Sequence, residues 1–141
     1  MVRLARNVEV EHDDGRVVKY VRHPNGGGPV STRADVHPDA WVAESAYVEP
    51  GAVVGARAHV EAAAWVDEDA RVGTDAVVGR AAHVGPRAVV HRGARVGARA
   101  RLGAESVVDP GALVPDDEAL PAGSHVGPQR TAGRSGGYAA A

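Results

Sequence analysis

The sequence predicts an all-β protein built as a parallel β-helix, and three observations lead there. An aliphatic residue recurs at every sixth position without interruption, from Val36, Val42 and Val48 through Leu120 to Val126. A small residue stands two places before nearly every one, as Ala34, Ala40 and Ala46 through Ala100, then Ser106, Ala112 and Ser124. The chain also has no Phe, one Met and two Trp in 141 residues, which would starve an ordinary globular core. A period of six is too short for stacked helix pairs. A parallel β-helix instead takes one short strand from each repeat and fills its narrow interior with one Val and one Ala per strand.

Residues 1–33 stand outside this period. "NVEVEHDDGRVVKYVR" alternates apolar and polar residues around His12, Asp13, Asp14 and Gly15, which is turn chemistry, and predicts a β-hairpin. "HPNGGGPVST" then reads as a flexible Gly-rich connector. The first coil of a solenoid would otherwise expose a strand edge and its apolar interior, so the hairpin is expected to cap that end or fold back along a face. The β-helix itself is expected over residues 34–127. Near its end Glu118 takes an inward small-residue slot, while Pro115, Asp116, Asp117 and Pro121 guard the last edge against further strand addition. Residues 128–141, polar and rich in Gly and Ala, read as a disordered tail.

Units such as "AVVGAR", "ARVGTD", "AVVGRA" and "ARVGAR" resemble those of the hexapeptide-repeat proteins, across about residues 34 to 127. The resemblance implies a left-handed parallel β-helix of triangular cross-section, three hexapeptides to a coil and about five coils here, and an assembly of copies, commonly a trimer. It also implies that residues 18 apart lie on neighbouring coils, about 4.8 Å from one another. The charges suit that register: Asp39, Arg57 and Asp75 form one column, Asp69, Arg87 and Glu105 another, and Arg99 pairs with Asp117. Glycines at Gly55, Gly73, Gly79, Gly85, Gly97 and Gly103 are expected at tight corner bends.

Composition narrows the function classes. A net charge of −2 argues against a nucleic-acid partner. No apolar run is long enough to span a bilayer and the N-terminus lacks a signal peptide's apolar stretch, so a soluble cytoplasmic protein is expected. With no Cys there is neither a disulfide framework nor a thiolate metal site, and the seven His are the remaining good soft ligands.

The residue before each aliphatic should point outward from a flat face. One face then presents Asp35, Val53, Arg71, Val89, Val107 and His125, the second Trp41, His59, Val77, Arg95 and Leu113, the third Tyr47, Trp65, His83, Arg101 and Ala119. Half-apolar faces of this kind point to contact with a partner, and the chain itself is the expected one. The leading reading is a non-catalytic assembly or binding scaffold acting through its flat faces as a homo-oligomer. Trp65 with His83, and Trp41 with His59, either line a groove for a flat ligand or simply pack on neighbouring rungs.

Three candidate site features accompany that reading. "RAVVHRGARVG" resembles the segment of γ-class carbonic anhydrases that ends in a zinc-binding His, with His91 in the ligand's place. The resemblance would require another His five residues earlier, where Pro86 stands, and a third in an earlier coil; one ligand of three does not make a zinc site, so no metal ligands are assigned and a γ-carbonic-anhydrase-like zinc protein is the weaker alternative reading. His91 also lies one coil from Asp109, and a carboxylate beside an imidazole can orient it as a general base. Resemblance to the hexapeptide acyltransferases makes this pair the catalytic residues of an alternative reading. There a coenzyme A thioester is the cofactor, and Arg80, Arg92, Arg95 and Arg101 hold its phosphates. Charge is uneven along the chain: nine acidic and two basic residues lie between Ala34 and Asp75, against six Arg and one Glu between Ala76 and Glu105. The small-molecule ligand, if one exists, is not legible in the sequence.

Overall fold

The structure is a computed structural model and describes residues 7–11, as backbone, and 17–128. The turn expected at His12, Asp13, Asp14 and Gly15, and residues 129–141 of the expected tail, lie outside the described residues. No described residue is helical, and the strands stack into three sheets.

Each hexad contributes one two-residue strand, an outward residue followed by the inward aliphatic. The first face stacks β4 (Asp35–Val36), β7 (Val53–Val54), β10 (Arg71–Val72), β13 (Val89–Val90), β16 (Val107–Val108) and β19 (His125–Val126). The second stacks β5 (Trp41–Val42), β8 (His59–Val60), β11 (Val77–Val78), β14 (Arg95–Val96) and β17 (Leu113–Val114). The third stacks β6 (Tyr47–Val48), β9 (Trp65–Val66), β12 (His83–Val84), β15 (Arg101–Leu102) and β18 (Ala119–Leu120). Every pairing in these stacks is parallel and offset by 18 residues, as in Val77 with Arg95 and Val78 with Val96. The chain thus climbs as a prism of about five turns, the β-helix that the period of six predicts.

The interior holds what the repeat supplies. Ala58, Ala76 and Ala94 are fully buried, and Val60, Val78 and Val96 are at most 2% exposed. Between sheets, a turn hydrogen bond closes each corner, for example from Ala64 N–H to the Glu61 carbonyl at 3.0 Å. The third residue after the aliphatic takes a left-handed backbone: Arg57 has φ 59°, Asp69 60° and Arg87 61°. This conformation costs a residue with a Cβ about 1–2 kcal/mol. The corner side chains are then placed for pairing up the prism: Arg57 donates to Asp75 at 2.9 and 3.2 Å, Arg87 to Glu105 at 3.0 Å and Arg99 to Asp117 at 2.7 and 3.1 Å.

Two sequence expectations are corrected here. The glycines that follow the aliphatics are not the left-handed residues of the bend; they are where one coil rests on the next. A Cβ on Gly85 would stand 2.4 Å from the Leu102 carbonyl oxygen, closer than any carbon can approach. Glu118 is exposed rather than inward, because in the last coil Leu120 and Val126 are only partly covered and no further coil closes the interior.

The N-terminal end is covered by the segment before the period. β1 (Asn7–Glu11) pairs antiparallel with β2 (Val17–Arg22), and β2 pairs antiparallel with β3 (Pro29–Ser31). Val30 pairs parallel with Val48 and is buried, so the stacking of the third face starts one hexad before Val36, within the stretch that reads as connector. Over the second face, the loop after β2 takes the edge of β5: Gly28 N–H donates to Val42 O at 3.0 Å and Val42 N–H to Asn25 O at 3.1 Å. His23, buried, donates from Nε2 to the Ala40 carbonyl at 3.0 Å, beside the Asn25 amide on the same oxygen. Donors and acceptors that an open edge would leave bare are thereby paired.

Candidate functional site

Outward positions on a flat sheet have no room to fold back, so large side chains placed there remain in solvent. Trp41, Tyr47, Trp65 and Leu113 are between 39% and 43% exposed, and all four lie on the second and third faces. The apolar exposure is concentrated on sheet surfaces rather than scattered over corners.

The third face carries a connected group of polar and aromatic side chains. Glu49, at the corner after β6, is buried, and its two carboxylate oxygens accept from the Tyr20 hydroxyl at 2.6 Å and the Trp65 indole N–H at 2.8 Å. Tyr20 also meets Tyr47 edge to face, with centroids 5.6 Å apart. Burial, and then the hydrogen bond and charge of Glu49, push the Tyr20 hydroxyl well above its ordinary pKa, so it stays a donor. One rung higher the Trp65 and His83 rings stack at 4.2 Å with 16° between their planes. The His83 Nε2–H donates to Asp67 at 2.9 Å, while the other Asp67 oxygen accepts the Glu68 backbone N–H at 2.7 Å. Tyr20, Glu49, Trp65, His83 and Asp67 therefore form one chain of contacts that ties the hairpin to the prism.

Burial alone would raise the Asp67 carboxyl; the His83 hydrogen bond, the Glu68 N–H and the imidazole's charge outweigh it and hold that carboxyl below its ordinary value. A depressed folded-state value means that the ionised carboxylate stabilises the fold above the unfolded value of about 3.9. That contribution is lost as pH falls through the lower folded value. Thermal melts should accordingly show wild type more stable than Asp67→Asn at neutral pH, with the gap closing at about pH 2. A gap that widens in acid would contradict this role.

The residues expected from sequence are placed as follows. His91 and Asp109 do share a corner column, one coil apart, with His91 N–H donating to Val108 O at 2.9 Å. Asp109, however, is engaged by His125, whose Nε2 lies 2.8 Å from Oδ1, and the exposed His91 imidazole has no partner among the described residues. The cause is the direction of the corner side chain. A carboxylate just after an aliphatic can lean toward an outward ring of the next coil, 16 positions on, rather than toward the residue directly above. Glu49 with Trp65, Asp67 with His83 and Asp109 with His125 all follow this spacing of 16. The residue 16 after His91 is Val107, which cannot orient an imidazole. A scan for Asp or Glu 16 residues before an outward His or Trp would have found the pairs that a spacing of 18 misses.

The four arginines do not converge. Arg95 projects from the second face, Arg101 from the third, Arg80 from the corner between them and Arg92 from the corner between the first and second, all exposed. An open groove of about 430 Å³ lies elsewhere, at the N-terminal shoulder, where Val17, Val18, Lys19, Ser31, Thr32, Arg33 and Pro50 line it. Among the described residues no group of three or more His, Asp or Glu could hold a metal ion, and no helix is long and apolar enough to cross a membrane.

Sequence comparison finds no matching family profile and no matching curated protein. Structure comparison does find neighbours. PerB from Caulobacter crescentus, solved in complex with CoA and GDP-perosamine, superposes with a TM-score of 0.66 at 28% identity, over 71% of this chain and 50% of that one. A mutant of perosamine N-acetyltransferase from the same organism, with the same ligands, gives 0.41 at 27% identity over 64% and 49% of the two chains. A hexapeptide transferase family protein from Anaplasma phagocytophilum gives 0.28 at 16% identity, over 70% and 69%. The chain spans about half the length of PerB.

Proposed function

Because the chain belongs to the hexapeptide-repeat left-handed β-helix superfamily, we propose that it works as a homo-oligomeric scaffold whose flat faces are the contact surfaces. The observation that carries this reading is the placement of Trp41, Tyr47, Trp65 and Leu113 on sheet faces at roughly two-fifths exposure. Rings and a Leu held rigidly on a flat support bury apolar area at little further entropic cost when another surface covers them. No hexad carries an inserted loop, and the expected pair of His91 and Asp109 is not assembled within one chain. Sedimentation of the purified full chain is expected to give a multiple of 14.5 kDa. A monomer at micromolar concentration would refute the scaffold.

The likeness to PerB, solved with CoA, favours a second reading, a coenzyme A-dependent acyltransferase. In it His91 is the general base, free to take a proton from an amine or hydroxyl acceptor, Asp109 orients it after leaving His125, and Arg80, Arg92, Arg95 and Arg101 supply phosphate contacts. Because these arginines are spread over two faces and two corners, they could meet one ligand only where copies adjoin. Calorimetric titration with acetyl coenzyme A tests this: binding should be seen, and His91→Ala should abolish turnover while leaving the melt unchanged. No heat at millimolar ligand removes the reading.

A further inference from the structure

The clasp over the edge of β5 depends on two consecutive residues, Asn25 and Gly26. The Asn25 side-chain amide donates to the buried Ala40 carbonyl at 3.0 Å, and the Asn25 main-chain carbonyl accepts the Val42 N–H at 3.1 Å. Gly26 follows with φ 104°, a backbone that favours glycine, and a Cβ on it would overlap the Val42 carbonyl oxygen. The Gly26 N–H has no hydrogen-bond partner among the described residues.

An Asn followed by Gly is the pair in which the next backbone nitrogen reaches the side-chain carbonyl carbon with least hindrance, because Gly has no Cβ. Once its proton has passed to solvent base, the Gly26 nitrogen attacks Asn25 Cγ. A new C–N bond forms there as the bond from Cγ to the amide nitrogen breaks, and that nitrogen takes a proton from water and leaves as ammonia. Water then opens the succinimide at either carbonyl, giving aspartate or isoaspartate, with no oxidant or reductant involved. In the closed clasp the amide is anchored on Ala40 and Gly26 lies hard against Val42, so the reaction proceeds from a locally opened loop. We propose that Asn25 is a site of spontaneous deamidation whose products hold the clasp open. Aspartate sets a carboxylate, with no N–H to donate, against the Ala40 carbonyl, so two acceptors meet. Isoaspartate carries the main chain through the former side chain and so adds a methylene beside Gly26, where there is no space even for a Cβ. The Val42 N–H and carbonyl then lose Asn25 and Gly28 as partners, and the edge of β5 is bared.

The sequence gives a clean readout of this chemistry. Asn7 is the other Asn of the chain, and the β-branched Val8 after it hinders ring closure. Trypsin cleavage after Arg22 and Arg33 releases residues 23–33, which contain no Asp and no Asn besides Asn25. The full chain and a synthetic peptide of residues 23–33 are incubated in mildly alkaline buffer and sampled by mass spectrometry. Two products with the amide nitrogen replaced by oxygen should accumulate in the full chain, more slowly than in the peptide, and urea below the unfolding transition should narrow the difference. Conversion in the peptide with none in the full chain would overturn the site. The consequence is read by hydrogen exchange in variants. In Asn25→Asp the Val42 and Gly28 amides should exchange about tenfold faster than in wild type, and Asn25→Ser, which cannot form the ring but keeps a donor, should fall between the two. Wild-type exchange in Asn25→Asp would overturn the open clasp. Gly26→Ala is unsuited as the unreactive control, because its Cβ would itself displace the loop from Val42.

Discussion

Val78→Asp is expected to abolish the folded state, whereas Val77→Asp, one residue earlier, is expected to leave it intact. Val78 is fully buried between Val60 and Val96, and the interior around it consists of Val and Ala with no group that could pair a carboxylate. An unpaired buried charge costs several kcal/mol, against a total domain stability of about 5–15 kcal/mol. The position is also mid-prism. In a solenoid each coil is held only by its neighbours, so a break at the centre separates two short stacks, each too small to persist. Val77 faces outward and is half-buried, and its replacement puts the carboxylate in water. Circular dichroism melts of the two variants provide the measurement. A cooperative melt of Val78→Asp near the wild-type temperature would mean that the inward and outward positions have been exchanged.

The second large effect is expected at Glu49. Glu49→Ala removes the acceptor of both the Tyr20 hydroxyl and the Trp65 indole N–H. Hydrogen bonds to a charged group contribute about 1.5–3 kcal/mol each, so the loss should be about 3 kcal/mol or more, read as a fall in the urea midpoint. Glu49→Gln retains one acceptor oxygen and should fall between the two. A structural role confined to the prism would change stability alone. A clasp on the hairpin should in addition shift Trp65 fluorescence and speed protease cleavage in β2. Unchanged stability in Glu49→Ala would show that the contact chain from Tyr20 to Asp67 contributes nothing to holding the hairpin.

Both predictions trace back to the same division between what composition encodes and what stacking creates. The inward and outward roles of Val78 and Val77 follow from counting sixes, because a strand alternates its side chains and each hexad offers one aliphatic. The ladder of Arg57 on Asp75, or Arg99 on Asp117, was equally legible, since both partners occupy the same place in their hexads and meet directly across one coil. Glu49 was not. Its partners sit at different hexad positions, and one of them, Tyr20, belongs to a segment with no period at all. The pairing expected of His91 and Asp109 fails for the same reason: sharing a column sets two backbones side by side but does not say which way a corner side chain leans.

The order of the residues alone thus determined a β-helix and its Val and Ala interior, because the repeat is local and every hexad states it again, while the register of 18 followed from the family resemblance and the charge columns that suit it. Only the tertiary structure decided that β3 starts the parallel stack of the third face, that the glycines directly after the aliphatics mark contact between coils rather than bends, and that carboxylates at corners reach across to rings 16 residues on. Those outcomes depend on directions in space, on which way a side chain leaves a corner and how closely one coil rests on another, and a spacing along the chain carries no direction.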